Sequence, residues 1–180
     1  LDAVGYDLYI KLLNEAVLEE RGEKVKPKVE CTVDLSYDAF LPERYVKSSA
    51  QRMDLYRRIA LIESQLDLDD LGDELIDRFG DIPDSVMNLI EIAHLRGILS
   101  EMGVHRVNYM AGTLIMRMIP SAAPDPLKLY GALEKADKRL LLSATKEPSI
   151  LFRDQKLSPE KLLALAVKVM EKVAAGLEEN

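Results

Sequence analysis

"HRVNYMAGTLIMRMI" (105–119) is the stretch that decides the fold. Apolar and polar residues alternate on both sides of Gly112, and a period of two around a glycine turn is the pattern of a β-hairpin. Everything between Ser49 and Gly103 repeats with the period of a helix instead. Pro83 suits the first residue of a long helix that reaches about Met102, and Gly103 suits its stop. This helix is apolar on two flanks: Val86, Leu89, Ile90 and Ala93 on one, Ile92, Leu95, Leu99 and Met102 on the other. It is expected to be the central, most buried helix.

Working outward from there, Asp67 is expected to cap a helix over about 68–79, with Leu68, Leu71, Leu75 and Phe79 as its stripe and Gly80 as its end. A helix over about 49–64 turns Leu55, Tyr56, Ile59 and Ile62 inward. "LPERYV" (41–46) lies in an irregular connection, because Pro42 interrupts regular structure. "VECTVDL" (29–35) alternates as a strand, with Val29, Cys31, Val33 and Leu35 on one face. Tyr6, Tyr9, Ile10, Leu13, Ala16 and Val17 recur as a helix ending at Gly22, and 22–28 is a basic linker. Beyond the hairpin come a short helix at about 126–136 and two strands, "RLLLSA" and "SILFRD", around the turn "TKEP". Ser158 and Pro159 open a last helix along Leu162, Leu163, Ala166, Val169, Met170 and Val173. The expected class is α+β: N-terminal helices, a small and mostly antiparallel sheet built from hairpins, and a C-terminal helix.

Charge is segregated. The 180 residues carry a formal net charge of −7. Between Glu63 and Asp84 stand nine acids and one base, Arg78, a local net of −8, so the remainder sums to +1. Such a segment repels nucleic acid and anionic membranes and suits a basic protein partner. A lone cysteine, Cys31, permits no internal disulfide and points to a reducing, cytoplasmic setting. No apolar run approaches the ~20 residues that span a bilayer. The start has an acid at its second position and no basic region, so it does not read as a signal peptide, and it reads as a cut into a longer chain.

Chemistry is sparse. No glycine-rich phosphate loop is present, so nucleotide hydrolysis by this fragment is not expected. His94 and His105 with one cysteine fall short of a zinc site, and both histidines read as structural or solvated. Cys31 alternates with valines and reads as a small core residue, not a nucleophile. The acids of 67–84 lie opposite an ordinary apolar stripe, as on a solvated helix face. Within them Glu74, Asp77 and Arg78 stand at i, i+3 and i+4 and cluster on one flank. They form either an intrahelical Glu74–Arg78 pair or a mixed-charge docking site, in which the arginine sets register.

"VGYDLYIKLLNEAV" (4–17), "LPERYV" with "QRMDLYRRIA" (41–46, 51–60) and "ELIDRFGDIPDSVMNLIEIAHLR" (74–96) together resemble the C-terminal region of the bacterial transcription-repair coupling factors. The resemblance covers residues 4 to about 104. It implies a parent protein that uses ATP and magnesium to translocate on DNA, displaces stalled RNA polymerase and recruits excision repair. It implies no catalysis and no cofactor in this fragment. Residues 1–25 would end the translocase module and its linker, and 26–180 would form a clamp domain. That clamp would pack on the N-terminal module of the same protein through Glu74, Asp77 and Arg78, restraining the translocase and hiding the surface that receives the damage-sensing repair ATPase. DNA would be held by the translocase module and no membrane would be involved. Two other readings remain open: a metal-dependent phosphoesterase that uses the 67–84 carboxylates, and a free-standing acidic adaptor that binds a basic protein.

Overall fold

The computed structural model of the protein describes residues 29–179 continuously, preceded by Leu13, Ala16, Val17 and residues 20–22. The expected first helix and basic linker, and with them the division at residues 25 and 26, fall almost wholly outside the described residues. The elements run β1 (Thr32–Asp34), α1 (Ser49–Ala60), α2 (Gln65–Phe79), α3 (Asp84–Glu101), β2 (Val104–Met110), β3 (Thr113–Met118), a 3-10 turn (Pro120–Ala122), α4 (Pro126–Ala136), β4 (Leu140–Ser143), β5 (Ser149–Arg153) and α5 (Pro159–Glu178). This is the α+β arrangement read from the sequence.

The five strands form one sheet in the order β1-β2-β3-β5-β4. The hairpin closes through Ala111 and Gly112, both at positive φ (50° and 77°), as a tight two-residue turn requires. β2/β3, β3/β5 and β4/β5 are antiparallel. β1 alone lies parallel to its neighbour, β2, reached after three helices. The strand expected over 29–35 is shortened to three paired residues, Thr32 to Asp34, opposite Arg106 to Asn108. A register shift between Val104 and Arg106 ends the regular edge that β2 can offer. The inward face is as expected, with Cys31 buried and Val33 and Leu35 half-buried.

Two helix boundaries move for a capping reason. α1 stops at Ala60, short of Ser64, because Ser64 begins the next helix. The Ser64 hydroxyl accepts from the Asp67 N–H at 3.1 Å, and Asp67 Oδ2 accepts from the N–H groups of Glu63 and Ser64, each at 3.1 Å. Asp67 is therefore the reciprocal member of a capping box, not the cap, and α2 starts at Gln65. Those N–H groups hold the Asp67 carboxyl below its usual range. Pro83 stands one residue earlier than expected, as the cap of α3.

Two hydrophobic cores meet along α3. One gathers Leu41, Val46, Leu55, Ile59, Ile62, Leu71 and Leu75 with Val86 and Ile90 of α3, and Leu89 and Ala93 pack beside them. The other gathers the inward side chains of the sheet, α4 and α5 with Ile92, Leu95, Leu99 and Met102. The two flanks predicted for this helix are thus its two packing faces. The connection 41–46 belongs to the first core: Leu41, Pro42 and Val46 are buried, and the Leu41 N–H donates to the Tyr56 hydroxyl at 3.0 Å.

His94 sits on α3 where the cores adjoin, 2% exposed, with its Nε2 2.8 Å from Glu171 Oε1 of α5. Burial lowers its pKa, while Glu171 and Asp67 act in the opposite direction. The folded protein therefore binds a proton on His94 less readily than the unfolded chain does. Stability should fall as pH drops through about 6.5, the unfolded value, and level off below the folded value. Glu91, raised chiefly by burial, acts with the opposite sign. Thermal melts from pH 7.5 to 5.5 should show the decline, and His94→Gln should flatten it even if it lowers the melting temperature throughout. An unchanged slope in the variant would reject the assignment.

Two glycines should respond oppositely to alanine. Gly103 follows α3 at φ 81°, and a Cβ there would lie 2.4 Å from the Ala122 carbonyl oxygen. Gly72 is in the middle of α2, and a Cβ there meets nothing within 4 Å. Gly72→Ala should stabilise by ~0.5–1 kcal/mol on propensity alone. Gly103→Ala should destabilise by more than that, since backbone must move. Urea unfolding of both variants checks the pair.

Candidate interdomain interface

α2 lays Leu71 and Leu75 into the first core, with Leu68 and Phe79 half-buried at its margin. Asp69, Asp70, Asp73 and Asp77 are exposed on its other side, as the apolar spacing dictates. The C-terminal end of α2 is fixed from outside. The Tyr45 hydroxyl lies 2.9 Å from the Gly80 carbonyl oxygen and 3.2 Å from that of Leu75, and its ring tilts against Phe79 at 5.8 Å. Gly80, at φ 86°, donates its N–H to the Ile76 carbonyl and turns the chain out of the helix.

On this anchored helix the structure brings Glu74 and Arg78 together. Arg78 Nη1 lies 3.4 Å from Glu74 Oε1, the i, i+4 pair that the spacing predicts. The shorter pair is one the spacing did not reveal: Glu74 Oε2 meets Arg58 Nη1 of α1. Glu74 is thus shared by two guanidinium groups, one on each helix. Arg78 also lies over the Phe79 ring, 4.9 Å from its centroid. Asp77 is not drawn into this group; it points to solvent and has no ion-pair partner among the described residues. Ile76 stands beside it, 53% exposed.

The Glu74–Arg78 pair, at the surface, is worth at most ~1 kcal/mol, and the Arg58–Glu74 pair is half-buried. The surface pair adds little to the fold and can be exchanged for a partner on another surface. The result is a rigid helix face with alternating signs, Arg58–Glu74–Arg78, next to free carboxylates at Asp73 and Asp77 and an exposed isoleucine. It can orient a charged protein surface.

The other residues weighed for chemistry take structural places. Cys31 is buried, and burial pushes its thiol up to about 11, so it is held as an unreactive thiol. His94 is paired inside the fold, and His105 is at the sheet irregularity, 3.9 Å from Glu147. Among the described residues no three of His, Cys, Asp and Glu are grouped so as to hold a metal ion. No described helix is long and apolar enough to cross a membrane. Neither the Arg58–Glu74 nor the His94–Glu171 pairing follows a local period: Arg58 acts from the neighbouring helix, and Glu171 from one far along the chain.

Comparison with known proteins bears on this same region. The profile of the TRCF domain matches residues 35–129, just over half of the chain, and takes in α1, α2 and α3 whole. The chain is 35% identical over 129 residues to the transcription-repair-coupling factor of Staphylococcus epidermidis, covering 69% of this chain and 11% of that protein. It is 36% identical over 97 residues to the Bacillus subtilis transcription-repair-coupling factor, covering 53% of this chain and 8% of that protein. It therefore spans about a tenth of the length of these relatives. The fold is similar to a crystal structure of the C-terminal domain of a transcription-repair coupling factor, with a TM-score of 0.74 at 22% identity, over 87% of this chain and 99% of that one. The family model and the sequence relatives agree: the chain belongs to the TRCF domain family of the transcription-repair coupling factors.

Proposed function

We propose that the chain is the non-catalytic C-terminal regulatory domain of a transcription-repair coupling factor, and that it docks on the N-terminal module of the same protein through the α2 face. Glu74, Asp77 and Arg78 carry the contact, and Arg58 is added to them. The single observation behind this reading is the charged group on α2: it lies in the family-matched region, on a helix pinned at its end by Tyr45, and its Glu74–Arg78 pair does little for the fold. In the closed protein, the docked domain restrains the translocase and covers the surface for the damage-sensing repair ATPase. ATP with magnesium, DNA and stalled RNA polymerase are the concern of the rest of the protein, in the cytoplasm. A polar interface suits such a clamp, because a coupling of a few kcal/mol can be reversed.

The test is Glu74→Lys with Asp77→Lys, made both in this chain and in the full-length protein. The isolated chain should stay folded and melt somewhat below the parent, since Asp77 is exposed and Glu74 loses one surface pair and one half-buried pair. In the full-length protein, reversing charges at a docked interface should cost ~2–5 kcal/mol of closure. Binding of the repair ATPase and basal ATP turnover should both rise, by about tenfold or more. Arg58→Glu should act in the same direction. A folded double variant whose partner binding and turnover match the parent would reduce the α2 face to a solvated surface.

A further inference from the structure

A second surface is left over once α2 is accounted for. α3, α4 and α5 all pack on one side of the sheet, against Val107, Leu114, Met116, Met118, Leu140, Ile150 and Phe152. The alternate residues of the same strands face the other side, where Leu141 and Arg153 are exposed and Ile115, Leu151 and Arg117 are half-buried. An open face of an antiparallel sheet is ordinarily polar. Here the polar positions surround an apolar row. Ile115, Leu151 and Leu141 are register neighbours on β3, β5 and β4, so they form one apolar row across three strands. Leu141, at the free edge, is 56% exposed. None of the three belongs to either core.

Arginines flank that row. Arg106 and Arg117 are register neighbours on one side of it, and Arg153 is on the other. Arg106 is satisfied by Asp34, at 2.7 Å. Arg117 donates one N–H to the neutral Asn108 side chain at 3.0 Å, and it has no carboxylate partner among the described residues. Arg153 is exposed and likewise has none. The outward positions of the strands thus hold three arginines against one aspartate, a net of +2 on a chain whose net is −7.

We infer that this outward sheet face is a docking surface for an acidic amphipathic helix of a protein partner. The spacing argues for a helix. Three adjacent strands place the row over ~9.6 Å. Apolar residues at i, i+3 or i+4, and i+7 of a helix cover ~10.5 Å. A helix laid across the strands sets its apolar stripe on Ile115, Leu151 and Leu141. Carboxylates on its two shoulders then reach Arg117 on one side and Arg153 on the other. The chemistry disfavours duplex DNA, because two uncompensated guanidinium groups around an apolar row offer few phosphate contacts.

The experiment uses the full 180-residue chain and a labelled 14-residue peptide with leucine at i, i+3, i+4 and i+7 and glutamate on the flanks. Fluorescence anisotropy should show saturable binding that weakens with added salt. Arg153→Glu and Leu141→Asp should each weaken it by about tenfold, as the loss of a flanking charge or of the edge of the row predicts. Both positions are exposed, so thermal melts should match the parent. Glu74→Lys with Asp77→Lys should leave the peptide affinity unchanged, which keeps this surface separate from the α2 interface. Four results would overturn the inference: no binding by the parent; equal binding by the two sheet variants; equal binding of a lysine-flanked peptide; or displacement by a 20-base-pair duplex. Sedimentation supplies a fifth. If the parent dimerises and Leu141→Asp makes it monomeric, the face is taken by a second copy of the chain.

Discussion

Burial of α3 on two flanks is the constraint on which the rest of the molecule depends. A surface helix has one apolar stripe and one core. This helix has two, and each is continuous with a different set of elements. Val86 and Ile90 close a small helical core over α1 and α2, while Ile92, Leu95, Leu99 and Met102 form the floor under the sheet. Neither half is a free-standing unit, because the same 18 residues serve both. Orientation follows from this. α1 and α2, which carry the mixed-charge face, are set relative to the sheet by one rigid element, not by a linker. The Tyr45 hydroxyl and the capping box at Ser64 and Asp67 then fix the two ends of α2.

What could be read in advance was whatever repeats locally. The two flanks of α3 follow a 3.6-residue period, the β2/β3 hairpin follows a two-residue period, and Ser158 before Pro159 is a local cap; each appears where its pattern places it. Glu74 with Arg78 also followed from spacing. Long-range pairings left no such trace. Arg58 reaches Glu74 from another helix, and His94 reaches Glu171 across the long loop of chain that contains the whole hairpin. The parallel placement of β1 was hidden for the same reason, since a three-residue ladder has no period to display. At the start of α2 the difficulty was a competition. Ser64 and Asp67 are both good caps, and only the reciprocal hydrogen bonds show which residue is the cap and which answers it.

The charge distribution has a consistent logic. The strongly acidic segment is set on one helix and its neighbours, while the open sheet face is mildly basic. Neither set of charges is needed for the cores, which are almost purely apolar; among the described residues His94 is the buried polar side chain between them, and Ser149 is buried on the other face of the sheet. Surfaces that cost the fold little can differ in sign without destabilising it, and two surfaces of opposite sign select different partners.

The short strand at the sheet margin gives the fold a mechanical character. β1 runs alongside β2 and is held there by the ladder from Thr32 to Asp34 and by the Arg106–Asp34 bridge. A pull along that strand loads the rungs of the ladder together, in shear, and not one after another as in peeling. Arg106, anchored in a central hairpin, shares the load through its side chain. A force along β1 enters the fold at the sheet, not at the ends of loops. Because α3 packs against β1 and β2 as well as α1, the same strain is carried through one helix to the surface on which the charged group is displayed.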